Sequence, residues 1–341
     1  MNNIIRKEVQ NDTRNGVRKD GSELFLFRAV PFDQSQLDAL FGIVESAGYV
    51  PILCDPEASP DADALARCAA MLGAFPPEWL ALAPNLKWLQ ASSAGIERYL
   101  SGGSLRESAT LTNASGAFGA TIAEHMMACL LMFYRRMPLY MRHQSAREWI
   151  PEPANRTVDG SIVTIVGLGD LGESFARRIR PFGARVLGVR RDTANPPDFV
   201  DELYPVSELD RAIVNADAVA LCLPDTPQTR GILSKERIRA LKPGAVVINV
   251  GRGSAIDESA LIDALQEGRL GGAALDVFQQ EPLPNDSPLW DLDNVIITPH
   301  VSGRDYDPHN QEIIFNIFYD NLCRFVKGEP LKNIVDRARG Y

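Results

Sequence analysis

The stretch Ser161–Arg191, SIVTIVGLGDLGESFARRIRPFGARVLGVRR, decides the fold. It opens on a short apolar run of strand type, SIVTIV. Three glycines follow, Gly167, Gly169 and Gly172, in G-x-G-x-x-G spacing. LGESFARRI then places apolar residues at helical intervals, and ARVLGVR reads as a second strand. A strand, a glycine turn, a helix and a strand in that order are the context in which this spacing signals dinucleotide binding. Gly167 permits the tight turn, Gly169 lets the backbone approach a pyrophosphate, and Gly172 allows close helix–strand packing. The helix start offers amide donors and the positive end of a dipole to phosphates, which brings Asp170 and Leu171 into the expected cofactor contacts.

The second strand ends in Arg190 and Arg191. An acidic residue usually sits there and grips the ribose 2′-OH of NAD. A carboxylate would repel a 2′-phosphate, whereas a guanidinium binds one through charge-assisted hydrogen bonds. The expectation is a preference for NADPH, with NADH as the lesser cofactor.

Outward from this unit, strand and helix patterns alternate from Gly160 to Ser302, which implies a parallel, doubly wound sheet. Upstream lies a smaller α/β unit. It has strands near Leu24–Val30, Tyr49–Cys54 and Thr110–Asn113, a buried strand ending in a small-residue loop over Leu86–Gly95, and helices over 35–47 and 62–72. ATIAEHMMACLLMFYRRMPLYMRHQ, from Ala120, reads as one long helix linking two domains. The tail, EIIFNIFYDNLCRFVKG, reads as a helix that returns to the first domain. The expected bounds are 1–117 with 308–341 for a substrate domain, including a polar N-terminal arm at 1–22. Residues 118–307 form the dinucleotide-binding domain with its linking helix.

Composition narrows the function classes. The 341 residues carry a formal charge of -9, which argues against nucleic acid or an anionic membrane as the main partner. No apolar run is long enough to span a bilayer, and the polar N-terminus has no signal-type core, so the expected location is cytoplasmic. The five cysteines are scattered without C-x-x-C spacing, as buried free thiols would be. Neither a metal site nor a disulfide framework is expected.

Three residues fall at or just beyond the ends of later strand patterns. They are Arg252 after VVINV, Glu281 after GAALDV, and His300 after NVIITP. A parallel sheet brings such positions to one rim. Transfer of hydride between a nicotinamide and a 2-oxo acid requires a cation for the carboxylate, an acid for the carbonyl oxygen, and a group that keeps that acid charged. Arg252 can make a forked pair with a carboxylate. His300 can serve as general acid in reduction and general base in oxidation, and a Glu281 carboxylate beside it favours the imidazolium.

These segments resemble the D-isomer-specific 2-hydroxyacid dehydrogenase family. The matching stretches are VGLGDLG, LPDTPQTRGIL, LKPGAVVINVGRGSAIDESAL, GAALDVFQQEPLP and NVIITPHVSG, and the likeness runs from about residue 24 onward. The compact length and TNASGAFGATIAEH resemble the glyoxylate/hydroxypyruvate reductase and 2-oxoacid reductase branches. The extra regulatory domain of many phosphoglycerate dehydrogenases is not expected, and Glu281 stands where formate dehydrogenases carry Gln. The resemblance implies an α/β enzyme of two domains: a Rossmann-type doubly wound parallel sheet inserted into a smaller flavodoxin-like substrate domain. It implies reduction of a small 2-oxo acid to the D-2-hydroxy acid, with Arg252, Glu281 and His300 as the catalytic three, and a homodimer held through the linking-helix region.

It further implies that Asp276 contacts the nicotinamide carboxamide and that Leu223 and Pro224 pack near the adenosine. Val250, Gly251, Ser302 and Gly303 complete the expected cofactor site. Backbone amides of the Ser93, Ala94, Gly95 and Ile96 loop would meet the substrate carboxylate. Asp225 departs from the apolar or small residue that the family commonly has. Trp149, Tyr306 and His309 lie in loops that either pack or shape the substrate site. His125 and Glu124 read as structural. Two other readings use the same scaffold: a nucleotide-sensing binding protein of corepressor type, and an enzyme acting on another anion such as phosphite.

Overall fold

The computed structural model describes residues 23–55, 62–152 and 156–340. The proposed arm at 1–22 lies outside them. The chain divides into two compact units. One is the described part of Met1–Ala114 with Gln311–Val335; the other is Ser115–Asn310 with Asp336–Tyr341. The last residues thus go with the second unit, where the sequence reading assigns them to the first.

The first unit holds five strands: β1 (Leu24–Arg28), β2 (Val50–Leu53), β3 (Cys68–Gly73), β4 (Trp88–Gln90) and β5 (Thr110–Thr112). All pair in parallel in the order β2-β1-β3-β4-β5, the flavodoxin-like arrangement. The segment read as one helix over 62–72 is instead a five-residue helix, Ala62–Ala66, followed by β3. CAAMLG is buried at every position, and a short apolar run covered on both faces has no period to separate strand from helix. β3 ends on Gly73 at φ 124, where a Cβ would stand 2.0 Å from the Arg28 carbonyl oxygen; only glycine lets the two strand ends meet.

The helix Pro308–Lys327 buries Ile314, Phe318 and Leu322, one residue per helical turn, and stacks Phe325 on Trp88 with ring centroids 5.1 Å apart. A buried polar chain fastens it to the sheet. Asn321 and Thr112 both donate to Gln90 Oε1, at 2.8 and 2.7 Å, and Trp88 Nε1 donates to Thr112.

The second unit contains β6 (Ile162–Val166), β7 (Arg185–Val189), β8 (Glu202–Tyr204), β9 (Ala218–Leu221), β10 (Val246–Asn249), β11 (Gly272–Leu275) and β12 (Val295–Ile297). They form one parallel sheet in the order β12-β11-β10-β9-β6-β7-β8. Most strands read as unbroken Val, Ile, Leu and Ala runs because helices cover both faces. β8, with only half-buried residues and no apolar run, left no such signal. Strand order reverses between β6 and β9, so the crevice for a ligand lies at their carboxyl ends.

The single helix expected from Ala120 is two, Gly119–Tyr134 and Met137–Ala146. Pro138 has no N–H to give, and its ring clashes with the carbonyl of Tyr134 in a continuous helix. The chain breaks at Arg136, whose φ is 56. The first of the pair is buried along Ile122, Met126 and Leu130; the second buries no residue. No helix among the described residues is long and apolar enough to cross a membrane. The five cysteines are free, and Cys54, Cys68 and Cys129 are buried.

Candidate active site

The residues expected to meet cofactor and substrate in the second unit follow the carboxyl ends of strands, on one rim. Gly167 sits beyond β6 at φ 98. A Cβ there would stand 2.6 Å from the Cys222 carbonyl oxygen, and one on Gly172 would stand 2.3 Å from the Gly167 oxygen. Those two glycines are demanded by packing. Gly169 differs: it caps the helix Asp170–Ile179, and a Cβ on it would meet nothing within 4 Å. The open space beside Gly169, at the helix start, is a cradle that fits a pyrophosphate. Asp170 is exposed there and Leu171 half-buried. Arg190 follows β7 and is half-buried, and Arg191 is exposed. Leu223 and Pro224 follow β9, half-buried, with the Leu223 side chain directly against the position of Gly167.

After β10 the turn is tight. Asn249, fully buried, accepts from the Gly251 amide at 3.1 Å and donates to the Arg252 carbonyl at 3.0 Å. Sequence reasoning passed over this residue; a polar side chain ending an apolar strand was the available signal. Val250 is buried. The glycines that flank Arg252 press on the neighbouring backbones. A Cβ on Gly251 would lie 2.6 Å from Leu223 N and O, and one on Gly253 would lie 1.9 Å from the Phe278 carbonyl carbon. The loop after β10 is therefore wedged between the loops after β9 and β11. Arg252 is half-buried and donates from Nη1 to the Gly251 carbonyl at 2.7 Å. Asp225 joins the same wall. It takes a fork from Arg230 at 2.8 and 3.0 Å and a hydroxyl from Ser254 at 2.8 Å. The Arg230 pair, then the Ser254 bond and the nearby Arg252 charge, hold its carboxyl below the usual carboxylate range.

β11 and β12 supply the rest. Glu281 takes the Phe278 amide on Oε1 at 3.0 Å and faces His300 Nδ1 with Oε2 at 2.8 Å. One carboxylate oxygen is thus anchored and the other holds the ring, which leaves Nε2 of His300 for chemistry. His300 itself stands at φ 52, a left-handed conformation unusual for a side-chain-bearing residue. Its amide is held by the Asp276 carbonyl at 2.9 Å and the Thr298 carbonyl at 3.0 Å.

Beneath that loop lies Asp276, buried. Its carboxylate accepts from Thr298 Oγ1 (2.6 Å), Val301 N (2.9 Å), Ser302 N (3.1 Å) and Ser302 Oγ (2.5 Å). Burial alone would raise this carboxyl; the bonds from Ser302, Thr298 and Val301 outweigh it and hold the group below its ordinary range. Gly303 packs against Ile122, where a Cβ would come within 2.7 Å.

His125, on the helix Gly119–Tyr134, sits 3.5 Å from both Thr298 Oγ1 and Cys129 Sγ. Desolvation lowers its affinity for a proton, against an opposing pull from Asp276. A histidine held neutral by the fold binds fewer protons folded than unfolded, so stability falls as pH drops below the ordinary value of 6.5. Melting temperature measured from pH 8 to 5.5 is expected to decline across that window, and His125→Asn is expected to flatten the decline. A decline of unchanged slope in the variant assigns it to other groups.

Ser93, Ala94 and Gly95 lie in the first unit, after β4. Asn113 Nδ2 donates to the Ala94 carbonyl at 3.0 Å and Ser93 Oγ to the Gly95 carbonyl at 2.6 Å, which fixes that loop. Tyr306 and Trp149 are exposed, and His309 also.

The sequence model for the D-isomer specific 2-hydroxyacid dehydrogenase NAD binding domain matches residues 127–302. The chain belongs to the D-isomer specific 2-hydroxyacid dehydrogenase family. Glyoxylate/hydroxypyruvate reductase B of Enterobacter sp. is 31% identical to this dehydrogenase over 323 residues, 92% of the chain and 97% of the relative. A D-isomer specific 2-hydroxyacid dehydrogenase from Xanthobacter autotrophicus, solved with NADPH and MES, has a TM-score of 0.80. Its identity is 31%, covering 94% of this chain and 99% of that one. An NADPH-dependent glyoxylate/hydroxypyruvate reductase from Sinorhizobium meliloti, solved with NADP and sulfate, superposes with a TM-score of 0.79 at 28% identity, covering 94% and 100%. As a member of this family the protein is an oxidoreductase with two parallel-sheet α/β domains.

Proposed function

We propose that this dehydrogenase reduces a small 2-oxo acid of the glyoxylate or hydroxypyruvate kind to the D-2-hydroxy acid, with NADPH preferred over NADH. The observation that carries the reading is the 2.8 Å pair of His300 Nδ1 and Glu281 Oε2, on the same rim as Arg252 and the open cradle at Gly169. The three side chains come from the loops after β10, β11 and β12, which are neighbours in the sheet. The relatives solved with NADPH and with NADP support the cofactor choice, as does Arg190 in place of a ribose-binding acid.

Gly167, Gly169, Gly172 and the helix start at Asp170 would hold the pyrophosphate, and Arg190 with Arg191 would hold the 2′-phosphate. Bound there, the cofactor supplies the hydride. Arg252 binds the substrate carboxylate and orients the ketone. His300 delivers a proton from Nε2 to the carbonyl oxygen, while Glu281 on Nδ1 fixes the ring and balances its charge. In the reverse direction the same nitrogen removes the hydroxyl proton. The protein works as a cytoplasmic homodimer in this reading. The helix Met137–Ala146, with Met137, Met141, Trp149 and Ile150 exposed on it and after it, supports the contact.

The test is the loss of NADPH and NADH absorbance, run in parallel, with glyoxylate, hydroxypyruvate, pyruvate and a bulky aryl 2-oxo acid. Oxidation of NADPH well ahead of NADH with one of the small acids is the expected result. Turnover with NADH alone overturns the cofactor preference, and no turnover with any acid overturns the reaction. Replacing both Arg190 and Arg191 with Gln is expected to impair NADPH use far more than NADH use; equal losses remove their role.

A further inference from the structure

The adenosine end of the cradle contains a carboxylate that the nucleotide motif does not call for. Arg190 occupies the position after β7 where an acid would bind a ribose 2′-OH. Its guanidinium is already positioned: Nε donates to the Asp192 carbonyl, Nη2 to the Asn195 carbonyl, and Nη1 faces Glu173 Oε1 at 3.7 Å. Its backbone amide is tied to Tyr204 of β8 at 3.1 Å. Glu173 comes from the first turn of the helix Asp170–Ile179, one residue beyond the glycine motif. Neither side chain is freely solvated, Arg190 at 23% and Glu173 at 35% exposure. The two positions directly after the strand are thus arginines, the Asp192 carboxylate beyond them takes the Ala194 amide, and the phosphate-binding helix brings Glu173 to the same guanidinium.

We propose that Glu173 is the residue that moderates cofactor discrimination. Resting on the reading of Arg190 as the 2′-phosphate ligand, this assigns to Glu173 the opposing charge. A 2′-phosphate carries about −1.5 to −2 near neutral pH. It must share the guanidinium with a carboxylate that repels it, whereas a free 2′-OH meets no such repulsion and can donate to that carboxylate. NADH is therefore penalised less than the arginine alone would dictate. Because the pair is partly exposed, the repulsion is moderate and screened by salt.

The test uses adenosine 2′,5′-bisphosphate and AMP, which differ by the 2′-phosphate, titrated calorimetrically into the full-length wild type, Glu173→Gln, Glu173→Ala and Arg190→Gln. Both Glu173 variants are expected to bind the bisphosphate about threefold to tenfold more tightly, with AMP unchanged or slightly weaker, and the gain is expected to shrink at high salt. Arg190→Gln is expected to weaken the bisphosphate about tenfold or more and to spare AMP. If the bisphosphate binds both Glu173 variants no better than wild type while Arg190→Gln remains selective, the role of Glu173 is overturned and the NADPH reading stands. If Arg190→Gln affects the two nucleotides equally, that reading fails and the proposal fails with it.

Discussion

Replacement of His300 by Gln is expected to lower kcat for 2-oxo acid reduction by about a hundredfold to ten-thousandfold. Glutamine retains a polar side chain of similar reach but carries no transferable proton. The ring now sits with Nδ1 on Glu281 and Nε2 unoccupied by that partner, so the substitution removes the proton donor and leaves the anchored carboxylate in place. The nucleotide cradle lies beyond β6, which three strands separate from β12 in the sheet order, so cofactor affinity is expected to stay within about twofold by fluorescence titration. Glu281→Gln is expected to lower kcat less, since it keeps a hydrogen-bond acceptor for the ring and loses the charge. A loss under about tenfold in His300→Gln would show that another group moves the proton.

Asp276→Ala is expected to be the most damaging change to stability at this rim. Four donors, from Thr298, Val301 and Ser302, converge on one buried carboxylate, and truncation leaves them without it in a volume that excludes solvent. Orphaned buried donors of this kind cost about 1–3 kcal/mol each and are not additive. A net loss on the order of 3 kcal/mol corresponds to a fall in melting temperature of roughly 10 °C. The second consequence is catalytic. The Asp276 carboxylate holds Val301 and Ser302, the residues directly after His300, and so confines His300 to its left-handed conformation. Released, that residue relaxes toward ordinary backbone and its ring leaves Glu281, so kcat is expected to fall about a hundredfold. Asp276→Asn keeps acceptor capacity for part of the set and is expected to lie between. A destabilised Asp276→Ala enzyme that retains full kcat below its melting temperature would show that the anchor serves stability alone.

The glycine loop, the alternation of strands and helices, and the three residues at strand ends were legible because each has a local signature. A turn that must tighten requires glycine, a strand covered on both faces reads as an apolar run, and a residue beyond such a run must reach the carboxyl rim. Local signatures failed where two structures share one. CAAMLG reads equally as helix or buried strand, and only the empty place between β1 and β4 makes it β3. The break at Arg136 was available in Pro138 but was masked by apolar spacing on both sides. β8 pairs at the sheet edge without an apolar pattern of its own.

From its sequence alone the chain was determined to be a parallel α/β protein with a dinucleotide turn and a cation, a carboxylate and an imidazole at strand ends. Tertiary structure alone decided why those groups stand where they do. Gly251 and Gly253 are required by the Leu223 and Phe278 backbones, Asn249 folds the turn that presents Arg252, Asp276 fixes the loop of His300, and Glu173 meets Arg190. Apart from the local Asn249 turn, these are contacts between segments separated in the chain. A side chain's reach across a sheet rim depends on strand order and backbone approach, which no local pattern encodes.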